Sequence, residues 1–220
     1  MATTFPHLLL KHAAERPGAA ALREKEYGIW QTWTWAEVAQ DVRHMACGLA
    51  ALGLAKGQNL AFISDNRPHL YMGFVAVQSI GAVPIPLYQD AVAQEMCFVM
   101  QDADIAFAFA ENQEQVDKLL EVRETVPGIQ HIIYDDPRGL RKYTEPGLIS
   151  TEQLKQLGQT WDRDHPGAWE AMMQGLKADD VSVILYTSGT TGKPKGVCQT
   201  HDSFIGSAQG AVEVDGLNTS

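Results

Sequence analysis

Cysteine is scarce in this chain. Cys47, Cys97 and Cys198 are odd in number and widely spaced among 220 residues. They exclude a disulfide framework and a Cys-rich metal knuckle, and read as reduced thiols. Long apolar runs are missing too. No window reaches the roughly 20 residues that span a bilayer, and Met1-Ala-Thr-Thr-Phe-Pro-His lacks the basic start and apolar core of a secretory leader. The expectation is a soluble, cytoplasmic protein, with peripheral membrane contact left open. Basic charge is in deficit. Seventeen Lys and Arg against 27 Asp and Glu give a net charge of −10, which argues against nucleic acid as a partner. Internal repeats and low-complexity segments are absent.

What is present is ordinary for a globular protein: 45% apolar and 20% charged residues. At this length roughly 70% of the unfolded surface is buried on folding. Phe5 to Ala14 predicts a helix, and Ala20 to Trp35 a β-hairpin whose tryptophans (Trp30, Trp33, Trp35) are expected to pack across the strands. Thr34-Trp-Ala-Glu37 is a capping box for a helix with Val38, Val42, Met45, Ala46 and Leu49 on one face.

From Asn59 strands and helices alternate. Strands are expected at 60–63, 83–87, 105–110 and 131–134, with helices at 68–80, 91–101 and 112–126 between them. Pro84 and Pro86 suggest an edge strand or a constrained entry. This order specifies an α/β fold with a mostly parallel sheet. No Gly-x-Gly-x-x-Gly follows the first strand, so a dinucleotide fold is not supported. Asp65 reads as a helix cap. Asp135-Asp136 lacks the neighbours of a metal shell. Residues 141–149 read as an irregular loop, followed by a short Ser150-capped helix ending near Gly158 and another over 166–175. After a strand over 196–199, Asp202 and Ser203 read as cap residues of a last helix.

One stretch carries chemistry. Val181 to Tyr186 predicts a buried strand. Thr187 to Lys195 then offers four hydroxyls (Thr187, Ser188, Thr190, Thr191), two glycines (Gly189, Gly192) and two ammonium groups (Lys193, Lys195). Glycines let backbone N–H groups face an anion, hydroxyls donate in any direction, and lysines neutralise charge. The stretch suits a polyphosphate. It is not a Walker A loop: Thr187 stands where the first glycine belongs, and Pro194 where a magnesium-holding Ser or Thr belongs. A solvated turn between two strands is the plain alternative. His201 reads either as a neighbour of a helix cap or as the wall of a substrate pocket.

Tyr-Thr-Ser-Gly-Thr-Thr-Gly-Lys-Pro-Lys-Gly-Val at 186–197 resembles the AMP-binding signature of the adenylate-forming enzymes. Trp33 to Glu37 and Gly81 to Leu87 resemble the family's hairpin-to-helix and helix-to-strand steps. Tyr134 to Tyr143 is similar to the long-chain fatty acyl-CoA synthetase branch. The resemblance implies ATP, magnesium, a fatty acid and coenzyme A as ligands. It also implies that Ser188, Gly189, Thr190, Thr191, Gly192, Lys193 and Lys195 cradle the β- and γ-phosphates. Thr187 would contact magnesium, and His201 would lie near the acyl pocket. Ser203 departs from the asparagine that relatives often carry.

The family's adenine, ribose and coenzyme A sites and its catalytic lysine lie beyond Ser220. The chain is therefore expected to be the N-terminal part of the AMP-binding domain, folded but inactive alone. Residues 59–165 would be one α/β subdomain, and 1–58 with 166–220 parts of a second, incomplete one, open to self-association or a homodimer. Two other readings stay open: a synthetase for a medium-chain or aromatic carboxylate, and a non-catalytic phosphate-binding module.

Overall fold

The structure, a computed structural model, describes residues 4–187 and 194–216. Its centre is a five-stranded sheet. Strands β3 (Asn59–Ile63), β4 (Val83–Leu87), β5 (Phe107–Ala110), β6 (His131–Tyr134) and β7 (Leu148–Ser150) lie in the order β4-β3-β5-β6-β7, each pair parallel. The proline-bearing β4 is an edge strand, where missing N–H donors cost least. The fifth strand, β7, takes up the end of the expected loop and the expected cap residue Ser150. Three residues, Leu-Ile-Ser, are too short to show a period, and only their pairing with Ile132 to Tyr134 makes them a strand.

Alternation along the strands sorts side chains to two faces, both covered by helices. Leu60, Phe62, Phe107, Phe109 and Ile133 meet α1 (Phe5–Glu15), α2 (Trp35–Ala51), α3 (Pro68–Ser79), α6 (Thr151–Asp164) and α7 (Ala168–Gln174). Ala61, Ile63, Ala108, Ala110 and Ile132 meet α4 (Ala93–Asp102) and α5 (Gln113–Thr125). This packing crosses the expected boundaries at 58/59 and 165/166. Val42, Met45 and Leu49 of α2, and Trp169 and Met173 of α7, are buried in the same core as Phe62. Helices from both flanking segments are needed to cover the sheet's aromatic face.

Helix α6 runs past Gly158 to Asp164 because that glycine is a contact and not a stop. A Cβ there would lie 1.8 Å from the His44 carbonyl oxygen, and one on Gly48 would lie 2.3 Å from that of Leu154. Two glycines thus let α2 and α6 touch backbone to backbone. Arg43 then ties α2 to α6 through Asp162 (2.6 and 2.9 Å) and to α7 through Glu170 (2.6 Å), with its guanidinium 5.1 Å from the Trp169 ring centre.

The hairpin of β1 (Ala20–Glu26) and β2 (Ile29–Thr34) forms as expected. Its tryptophans do not pack on one another. Trp30 carries Arg23 at 5.0 Å, Trp33 lies edge-on to His69 at 6.3 Å, and Trp35 meets His12 at 4.6 Å. Trp30 stands across from Lys25 and Trp33 from Leu22 in the register, so no two rings are brought opposite. Asp65 caps no helix: the N-cap of α3 is Arg67, and the Asp65 carboxylate accepts from Gln89 at 2.7 Å. The three thiols are free, with Cys47 buried and its pKa pushed up to about 12 by desolvation. No helix among the described residues is long and apolar enough to cross a membrane.

Candidate functional site

Beside β4 stands a second antiparallel pair, β8 (Val181–Thr187) and β9 (Lys195–Thr200). Three anchors fix β8 to its surroundings. The Gln78 side chain donates to the Ser182 carbonyl at 2.8 Å. The Ser182 hydroxyl donates to the Gln199 carbonyl at 2.9 Å. The Tyr186 hydroxyl donates to Asp102 at the end of α4 at 2.6 Å. Burial first, and then that carboxylate, push the Tyr186 pKa well above the usual phenol range, so it stays a neutral donor. Gly196 sits opposite Tyr186, where a Cβ would press on Ile184 at 2.9 Å and on the Tyr186 ring at 3.3 Å.

The register ends with Thr187 opposite Lys195, both exposed. Ser188, Gly189, Thr190, Thr191, Gly192 and Lys193 lie outside the described residues. Thr187 and Pro194 line a cleft of about 550 Å³ together with residues that include Pro86, Leu87, Tyr88 and Met96. Its lining is more apolar than polar, which suits a ligand with an apolar part.

His201 opens α8 (His201–Asp215), whose N-cap is Thr200. The cap is reciprocal: the Thr200 N–H donates to Ser203 Oγ at 3.1 Å, and the Ser203 N–H to Thr200 Oγ1 at 3.2 Å. Asp202 takes no part in it. His201 itself is 1% exposed. Its Nδ1 accepts from the Phe5 N–H at 3.4 Å, and its ring lies 5.6 Å from that of Phe5. Burial pushes its pKa down to about 4 against the opposing pull of Asp180. The imidazole is neutral near pH 7, and with Nδ1 accepting, its proton sits on Nε2.

Thr187 supplies one hydroxyl, and no group of three or more His, Cys, Asp or Glu among the described residues could hold a metal. Those residues do not form a magnesium site by themselves. Magnesium takes six oxygens and is commonly held by one or two protein groups plus substrate phosphates.

A second polar constellation escaped the sequence reading. The C-terminal ends of β3, β5 and β6 converge under the β1–β2 hairpin on a cleft of about 530 Å³. There Arg67 bridges Glu24 (2.6 Å) and Glu111 (3.2 Å), and His69 pairs with Asp135 (2.9 Å). Asp136 accepts from Arg138, which also reaches Tyr27 in the hairpin turn. The Asp135 bond first, against burial, raises the His69 pKa. The available signal was position: Glu111 and Asp135 each directly follow a parallel strand, and such residues share one edge of the sheet.

The chain matches the AMP-binding enzyme family over residues 9–219. It is 26% identical over 204 residues to the long-chain-fatty-acid–CoA ligase FadD15 of Mycobacterium tuberculosis, covering 93% of this chain and 32% of the ligase. The chain thus spans about a third of that relative's length. Its fold is shared with MbtA of Mycobacterium smegmatis (TM-score 0.79, 18% identity, 100% of this chain and 38% of MbtA). It is shared as well with the fatty acyl-adenylate ligase of L. pneumophila (TM-score 0.72, 16% identity, 98% and 33%). On a match that takes in nearly the whole chain, this protein belongs to the AMP-binding enzyme family.

Proposed function

We propose that this chain is the phosphate-holding part of an ATP-dependent acyl-CoA ligase whose carboxylate is a long-chain fatty acid. The carboxylate oxygen attacks the α-phosphorus of ATP, the bond to the β-phosphate oxygen breaks, and pyrophosphate leaves. Coenzyme A thiol then displaces AMP from the acyl-adenylate. An anion attacks an anion in the first step, so donors and cations around the phosphates do most of the work.

The observation that carries this reading is the register of β8 and β9, which sets Thr187 across from Lys195 at the mouth of the 187–195 stretch. Both strands are pinned below that mouth by Ser182 and Tyr186. Thr187, Lys195 and the intervening Ser188, Gly189, Thr190, Thr191, Gly192 and Lys193 then surround the β- and γ-phosphates, and magnesium arrives with them. His201, neutral and buried, serves as a wall near the acyl group and not as a base. The long-chain preference is supported by similarity to long-chain-fatty-acid–CoA ligases. Inactivity of the 220 residues alone is part of the proposal and rests on the share of those relatives that the chain spans.

Two measurements test it. In the 220-residue protein, Lys195→Ala should weaken ATP binding about tenfold or more, the scale of one charge-assisted contact. Unchanged affinity would sink the phosphate-loop assignment. In the protein from the complete gene, ATP–pyrophosphate exchange should peak with long fatty acids. A peak with medium-chain or aromatic acids keeps the chemistry and discards the substrate.

A further inference from the structure

Away from the phosphate loop, α1, β1, α2 and α3 enclose a groove of about 300 Å³. Leu8, Leu9, Leu22, Val38, Met72 and Val75 make its walls almost wholly apolar. Phe5 lies at one end of α1 and His12 near the other, and Tyr71, half exposed, also lines it. Water gains little in such a space, because few polar partners face it.

The polar groups gather at the Trp35 end. The indole of Trp35 lines the groove, the His12 ring lies 4.6 Å from it, and the Arg16 guanidinium lies 5.2 Å from its centre. His12 Nδ1 and Arg16 Nε are both buried without a hydrogen-bond partner. No carboxylate among the described residues pairs with Arg16. Orphaned polar atoms of this kind are rare in a folded protein and cost stability unless something satisfies them. Burial and the neighbouring Arg16 lower the His12 pKa, so near neutral pH the pair holds one positive charge. A guanidinium seated on an indole is oriented in advance and matches the two oxygens of a carboxylate.

From the apolar groove, His12 in its wall and the Arg16 guanidinium stacked on its Trp35 wall, we infer that this groove binds a single-chain carboxylate, its hydrocarbon along α1 and its head at His12 and Arg16. The site is separate from the proposed ATP phosphate site, since none of its walls comes from β8 or β9. It holds an acyl chain without reacting it.

The test is calorimetric titration of the 220-residue protein with dodecanoate and with dodecanol, without ATP. Dodecanoate should bind saturably and at least tenfold more tightly than the alcohol. Arg16→Gln should remove that difference and leave dodecanol unchanged. Ala21→Leu, which intrudes into the groove from β1, should weaken both ligands. Lys195→Ala should change neither, which separates this site from the phosphate loop whatever becomes of the ATP reading. The inference falls if dodecanoate does not saturate, if Arg16→Gln leaves the acid-to-alcohol ratio intact, or if Lys195→Ala weakens dodecanoate. Binding to neutral phosphatidylcholine vesicles without saturable dodecanoate binding would mark a membrane-facing surface and overturn it equally.

Discussion

A single imidazole shows how one side chain becomes part of the fold. His201 could belong to a cap or to a pocket as far as its neighbours in sequence tell. In the fold its ring is buried between α1 and β8–β9, facing Phe5. The groups that bear on its charge are Asp180, which favours the proton, and His7, which opposes it. Its folded pKa, about 4, lies below the unfolded value near 6.5. As pH falls, the unfolded chain therefore takes up the proton first. His201 weakens the fold progressively from about pH 6.5 to about pH 4 and adds no pH dependence above that window. The displacement corresponds to about 3 kcal/mol. Urea unfolding of the wild type should lose stability through this window more steeply than His201→Gln, by up to that amount. His12, His44, His69 and His131 titrate in both proteins, so the difference isolates His201. Parallel curves would show that the ring is not shielded from water.

At the scale of elements, the contact between α2 and α6 is built from absences. Gly48 and Gly158 leave each helix without a Cβ where the other's backbone passes. Gly158→Ala would set a methyl 1.8 Å from the His44 carbonyl and 2.7 Å from the Gly48 nitrogen. Backbone cannot yield as a side chain does, so the helices must separate and the Arg43–Asp162 pair must stretch. The expected loss is about 1–3 kcal/mol, read as a lower urea midpoint. A Gly158→Ala variant as stable as the wild type would mean the helices have room to slide. This contact also marks what the sequence makes legible. The caps at Thr34, Asn112 and Ser150 are local, each closed within three residues, and their helices start where those side chains place them. The strands 60–63, 83–87 and 131–134 were legible from period and turn residues. Strand β7 and the end of α6 were not, because the first depends on a partner strand and the second on a facing helix. The 187–195 stretch stands out through its residue order, and its phosphate role belongs to the proposal. The polar cleft under the hairpin was not, because its members are 24, 67, 111 and 135 in a chain that must fold to collect them.

At the scale of the whole molecule, the β1–β2 hairpin is joined to the rest of the fold by polar ties, one aromatic edge and the packing of Ala21 and Leu22 on the core. Glu24 reaches Arg67, Tyr27 reaches Arg138, and Trp33 meets His69. Arg67 is the hinge of the arrangement, because its other contact is Glu111, directly after β5 and only 9% exposed. Glu111 also accepts the Asp65 N–H at 2.7 Å, so one carboxylate links β3, β5 and the hairpin through a single guanidinium. Arg67→Ala would cut both arms at once. Glu111 would keep the Asp65 N–H and lose its counter-charge, and the hairpin would keep the Tyr27 and Trp33 ties and the packing of Ala21 and Leu22 on the core. Arg67 is partly exposed, so the global cost is modest, about 1 kcal/mol. The local consequence is larger. Amide exchange across residues 20–34 should speed about tenfold while β3 and β5 stay protected, the pattern of a unit that opens by itself. Arg67→Lys should restore little, since one ammonium lacks the fork that spans Glu24 and Glu111. Faster exchange spread evenly through the sheet would instead mean that hairpin and sheet unfold as one.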